Sequence, residues 1–219
     1  MKTRKSIVLW TLCTSVIAFS ILASAYRKSE ESIAYNTLMQ ETYMIRPDSP
    51  LLGSPSAPVT IIEFFDPACK TCRRFYPFTQ RILSDYSGKV RLFIKYLPVH
   101  GETSIEAIRI LEAARNQGIY EAVLQKLMTS QSLWANPDAP SIEMAWKLSK
   151  EAGLDIQKAQ NYIVSGKIDN LIKQDAMDRV AVDIHFAPTF YVNGRTLTST
   201  NPYELLELVR NEVDNISSS

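Results

Sequence analysis

Two β-rich stretches bracket the body of this chain, and roughly 80 residues of helical pattern lie between them. That order limits the possible folds more than any composition figure does. The first stretch, Val59 to Phe65, is almost continuously apolar, as suits a strand covered on both faces. Asp66 and Pro67 end it, and a helix is expected from near Cys69 to about Tyr86. Val90, Leu92, Ile94 and Tyr96 then alternate with Arg91, Phe93 and Lys95, which predicts a second strand stopped by Pro98. From about Glu102 to Val182 the period is helical. Ile105, Ile108 and Leu111 share a face up to Gly118, and Tyr120 to Met128 forms a second stripe. Ser141 and Asp155 are placed as N-caps of two more helices, and Ile168, Leu171, Ile172 and Ala176 mark a fifth. The β pattern returns at Thr189 to Val192. Asn193-Gly194 is a two-residue hairpin signal, with Arg195 to Thr198 as the partner strand. Asn201-Pro202 opens a last helix with Leu205, Leu208 and Val209 on one face. A βαβ unit and a ββα unit thus flank an all-helical block over about 102–182. Joined, they make an α/β domain over 57–216, with one mixed sheet and helices on both faces.

Ahead of this domain, Lys2, Arg4 and Lys5 precede an apolar run from Ile7 to Ala25 that ends in Ala23-Ser24-Ala25. A basic start, an apolar stretch and an A-x-A end form a secretory signal, and the run is also long enough for a membrane anchor. Residues 1–25 are therefore expected to be a signal peptide or a membrane anchor, and either sends the remainder out of the cytoplasm. Cys13 lies inside this run and is treated as incidental. Residues 26–56 are polar and rich in Ser and Pro, and are expected to be a spacer and lead-in with a short helix near Glu31 to Met39. A formal net charge of +1 offers no electrostatic case for nucleic acid.

Past the leader, the chain has two cysteines, Cys69 and Cys72, in the run Cys69-Lys70-Thr71-Cys72. A disulfide between them closes a loop too small to stabilise a domain of this size appreciably, so reactivity explains the pair better than structure does. Placed where a strand gives way to a helix, Cys69 would meet unpaired backbone N–H groups and the positive end of the helix dipole. Such surroundings lower a thiol pKa from about 8.5 to roughly 3.5–7.5, and the thiolate is the attacking species. Lys70, Arg73 and Arg74 add positive charge nearby. Cys72, just short of one helical turn on, can reach back to resolve a mixed disulfide. Glu63 interrupts an apolar strand six residues before Cys69. Buried there, it would have a raised pKa and could exchange protons with Cys72. Structural zinc wants four ligands, and only His100 and His185 remain, far apart and at no finger spacing, so no metal is expected. A reading from another class is a non-catalytic binding or chaperone module in which the cysteines hold a metal or sense redox state.

Glu63-Phe64-Phe65, the Cys69–Cys72 motif, Pro77 in the following helix and Ala187-Pro188-Thr189-Phe190-Tyr191-Val192-Asn193-Gly194 together resemble the DsbA-like branch of the thioredoxin superfamily, over about Ala57 to Val213. The resemblance implies a thioredoxin fold with an inserted helical block. It implies a protein thiol–disulfide oxidoreductase, an oxidase in the first place and a periplasmic reductase or isomerase as the alternative. It implies a cis peptide at Pro188, with Ala187 and Pro188 lying against the active-site pair and binding extended substrate. It further implies periplasmic residence, cysteine-containing substrate proteins, and a membrane redox partner that is either a quinone-linked oxidase or a thiol-transferring reductase. No cofactor beyond the Cys69–Cys72 disulfide is implied. This chain departs from the family at the intervening dipeptide, where Lys70-Thr71 stands in place of the usual Pro-His. No imidazole lies between the cysteines, and His100 or His185 could substitute only if the fold brings one close.

Overall fold

The computed structural model describes residues 17, 19–28, 31 and 43–217. Most of the apolar run 7–25 and of the expected Glu31–Met39 helix lies outside them. Residues 19–28 are helical, and among the described residues no helix is long and apolar enough to cross a membrane.

Five strands form the sheet: β1 Leu51–Gly53, β2 Val59–Phe65, β3 Val90–Tyr96, β4 Thr189–Val192 and β5 Arg195–Thr196. Their spatial order is β1-β3-β2-β4-β5. β2 and β3 run parallel, with Val59 opposite Val90 and Phe65 opposite Tyr96, and the other pairs are antiparallel. A parallel pair needs a crossover, which α1 (Lys70–Asp85) provides. The helical block comprises α2 (Glu102–Asn116), α3 (Tyr120–Thr129), α4 (Gln131–Trp134), α5 (Ile142–Glu151), α6 (Ile156–Ile163) and α7 (Lys167–Ala181), and α8 (Pro202–Ser217) closes the chain. The caps read from the sequence are present: Ser141 Oγ accepts from Met144 N and Asp155 Oδ1 from Lys158 N.

The sheet has a core on each face. Ile61, Phe65, Leu92, Ile94, Phe190 and Val192 pack in the larger core with Cys72, Phe75 and Leu205, under α1 and α8. Phe75 of α1 meets Phe190 of β4 at 4.9 Å between ring centroids. Ile62, Phe64 and Phe93 fill a second core with Met44, Leu97 and Ile184. β3 differs from the half-exposed strand that its alternation suggests. Lys95 is fully buried on the second face, between Asp175 (2.5 Å) and Asp178 (2.7 Å) of α7. A buried ammonium persists because two carboxylates meet it.

Two differences concern edges. The lead-in supplies β1, which pairs with β3, and Arg46 just before it binds both carboxylate oxygens of Asp178 at 2.7 and 3.1 Å. At the other edge, β5 stops at Thr196 rather than Thr198. Leu197 N still donates to Phe190 O at 2.9 Å, after which the chain turns away toward α8. The hairpin itself is as expected, with φ of 43° at Asn193 and 87° at Gly194, the positive values that a two-residue turn of this twist requires.

Candidate active site

β2 delivers its C-terminal end to the start of α1, and the residues between them form the site. Asp66 follows the strand with its side chain fully buried. Oδ1 accepts from Ala68 N at 2.8 Å, and the backbone carbonyl accepts from Cys69 N at 3.1 Å. The loop is thereby folded back so that Cys69 becomes the N-cap of α1, in extended conformation. Pro77 lies inside α1, where it cannot donate to the carbonyl of Arg73, and the helix runs on through it.

Cys69 is 7% exposed and Cys72 0%, and both are free thiols here. The Cys69 pKa falls to about 6, chiefly because the Cys72 thiol donates to its sulfur, against burial, with help from the backbone N–H groups of Cys72 and Thr71. The Asp66 charge works the other way. Burial first, then its bond to the Cys69 sulfur and the Glu63 charge, push Cys72 well above an ordinary thiol. One sulfur of the pair is thus primed to ionise and the other to stay protonated, as helix-terminus geometry anticipates.

Of the dipeptide between them, the backbone matters more than the side chains. Thr71 contributes its N–H and is half-buried, while Lys70 is exposed. Arg74 turns away to donate to the Thr200 carbonyl at 3.0 Å. Glu63 is 4% exposed, on the β2 face that also carries Ile61 and Phe65 toward the cysteines. Burial and the Cys69 charge raise its pKa to about 8.

Ala187-Pro188 is a cis peptide immediately before β4. The Cys69 thiol donates to the Ala187 carbonyl at 3.3 Å, which brings residues 118 positions apart into contact. His185, two residues earlier, is exposed and pairs with Asp183 at 2.8 Å. His100 is brought closer to the site. Its ring Nδ1 lies 2.8 Å from Asp66 Oδ2, which also accepts from the backbone N–H groups of Val99 and His100.

Gln131 was not singled out from the sequence. It is 1% exposed, and its Nε2 donates to the carbonyls of Pro67 at 2.7 Å and Cys69 at 3.0 Å, so the helical block braces the cysteine loop. A glutamine at the start of a one-turn helix has no pattern that marks it beforehand.

Comparison with known proteins agrees with this geometry. Residues 46–211 match the family model described as Thioredoxin. A probable disulfide bond formation protein D from Bacillus cereus is 26% identical over 187 residues, 81% of this chain and 80% of that protein. The Na(+)/H(+) antiporter NhaA 1 of Mycolicibacterium gilvum is 26% identical over 175 residues, but this chain spans only 27% of the antiporter's length. Among solved structures, a thioredoxin-like oxidoreductase from Silicibacter pomeroyi DSS-3 superposes with a TM-score of 0.69 at 28% identity, covering 80% of this chain and 98% of that one. BdbD from Bacillus subtilis shares the fold with a TM-score of 0.64 at 21% identity, over 76% of this chain and 93% of its own. The chain belongs to the thioredoxin family.

Proposed function

We propose that this protein is an exported oxidase that donates the Cys69–Cys72 disulfide to cysteine-containing substrate proteins and is reoxidised by a quinone-linked membrane partner. The observation behind this reading is the asymmetry of the pair: Cys69 lowered to about 6, Cys72 raised by burial. A thiol of that pKa is about nine-tenths ionised at pH 7, which stabilises the dithiol form by about 1.4 kcal/mol over an ordinary thiol, or about 30 mV in a two-electron couple. Stabilising the dithiol makes the disulfide the better oxidant. Cys69 is the sulfur that substrate reaches and Cys72 the sulfur that leaves when the disulfide opens. Glu63, largely protonated at pH 7, supplies the proton that Cys72 then takes. Ala187 and Pro188 shape the edge along which an extended substrate lies, with the Ala187 carbonyl beside Cys69. The basic start and the apolar run to Ala25 support export, with the domain either released or held at the outer face of the inner membrane. The antiporter likeness covers too little of that protein for ion transport to enter the reading.

Equilibration with glutathione buffers tests the direction. The expected reduction potential lies between about −230 mV and about −120 mV, the latter typical of DsbA. A value above about −230 mV supports the oxidase; a value at or below it makes the pair a reductase or isomerase centre. Replacing Cys72 with Ser would then trap substrates at Cys69 as mixed disulfides.

A further inference from the structure

Oxidation of a substrate begins with a problem that Cys69 does not have. The attacking species must be the substrate's thiolate, yet an ordinary thiol of pKa about 8.5 is only about 3% ionised at pH 7. Lys70-Thr71 places no base between the cysteines. A cavity of about 210 Å³ opens at the turn before α1, lined by Ala68, which directly precedes Cys69, and by His100, Thr103, Ala135 and Asn136. Asp66 is fully buried against this wall, and its Oδ2 holds Nδ1 of His100 at 2.8 Å. With Asp66 accepting, Nδ1 carries the hydrogen of that contact, and Nε2 is the ring nitrogen outside it. The His100 side chain is 43% exposed, so it is open to an incoming chain. Ser104 Oγ accepts from His100 N at 3.2 Å and fixes the residue from α2. Thr103, Asn136 and the other cavity residues carry no charge, which leaves Asp66 as the ionic partner of the ring.

We propose that His100, oriented by Asp66, is the general base that deprotonates the substrate thiol beside Cys69. The inference rests on the oxidoreductase reading above and adds a catalytic residue to it. In the step, the substrate S–H proton moves to Nε2 and the sulfur's electron pair forms a bond to Cys69 Sγ. The Cys69–Cys72 bond breaks, its electron pair stays on Cys72 Sγ, and Cys72 takes the proton of Glu63. His100 returns its proton to solvent, and Glu63 is reprotonated. The substrate's second thiol, deprotonated in the same way, attacks its own sulfur in the mixed disulfide and releases Cys69 as thiolate. Two electrons pass from substrate to protein, and the substrate loses two protons. The arrangement has the logic of a nucleophile, an imidazole and an orienting carboxylate, with the nucleophile brought by the substrate.

The test uses the full-length oxidised protein and His100→Gln, reduced by two probes in stopped flow from pH 6 to 9. One is a cysteine peptide of ordinary thiol pKa; the other is an aromatic thiol already ionised at pH 7. The expected result is a loss of about 10- to 30-fold with the peptide at pH 7, shrinking above pH 8.5, and less than about twofold with the aromatic thiol, because only the protonated probe needs a base. A base speeds both directions alike, so the reduction potential and the alkylation midpoint of Cys69 stay unchanged. Imidazole in the buffer should restore rate to His100→Ala. Equal losses with both probes, no loss with either, or a shifted potential overturns the proposal and leaves His100 a structural or charge-tuning partner of Asp66. If the wild-type disulfide does not exchange with the peptide at all, the oxidoreductase reading fails, and the proposal with it.

Discussion

Between about pH 4.5 and 8, folded Glu63 keeps a proton that the unfolded chain has already released. Its raised pKa therefore contributes stability that is fully present below pH 4.5 and is lost as pH rises toward 8. The reduced form has an opposing group. Cys69, lowered from 9.0 to about 6, contributes stability that is full above pH 9 and is lost as pH falls through 6. Replacing Glu63 with Gln should flatten the first dependence. The variant should gain on the order of 3–5 kcal/mol relative to wild type between pH 4.5 and 8, read from urea unfolding of the reduced proteins; a constant difference across that window would show that the carboxyl is not held protonated. At this scale much was legible. The burial of Cys72 and Glu63 and the place of Cys69 at the start of α1 could be read ahead, because they follow from strand, turn and helix start, all local in sequence. The positive charge expected from Lys70 and Arg74 gave way to backbone N–H groups, since those side chains reach solvent or Thr200 instead. His100 stayed ambiguous because its partner, Asp66, is 34 residues away.

Elements position these groups, and the short ones are the hardest to read. The long strands and helices follow their apolar periods closely. The three residues of β1 sit among Ser and Pro and look like linker, because an edge strand needs only one partner. α4, at four residues, has no period at all, yet it brings Gln131 under the cysteine loop. Gln131→Ala should remove both donors from buried carbonyls and cost about 1–3 kcal/mol in denaturant unfolding. Faster amide exchange should appear in residues 66–72, and unchanged exchange there would mean that the loop holds itself. Lys95 gives a similar lesson. Alternation in β3 marks it as outward-facing, and only the arrival of α7, with Asp175 and Asp178, turns that outer face into an interior.

Across the whole molecule, the N-terminal arm is joined to the body at the face away from the cysteines. Met44 is buried in the second core, and Arg46 grips Asp178, which Lys95 also meets from within. Burial would raise the Asp178 pKa, but its bonds from Arg46, Lys95 and Gln174 hold it below the ordinary carboxylate value. Arg46→Gln should therefore cost about 1–3 kcal/mol and lower the thermal midpoint by several degrees, while the alkylation midpoint of Cys69 stays the same. A shift in that midpoint would show coupling through the sheet. The βαβ and ββα halves were legible because each is contiguous in sequence; the meeting of arm, β3 and α7 was not, because Arg46 and Asp178 are 132 residues apart. The strand order also decides how such a molecule wears. β2 has a ladder on each side and leads straight into the redox loop, whereas both outermost ribbons are short. Fraying of either outer ribbon would leave the inner three strands paired. Wear at the margins of the sheet would therefore reach the redox loop last.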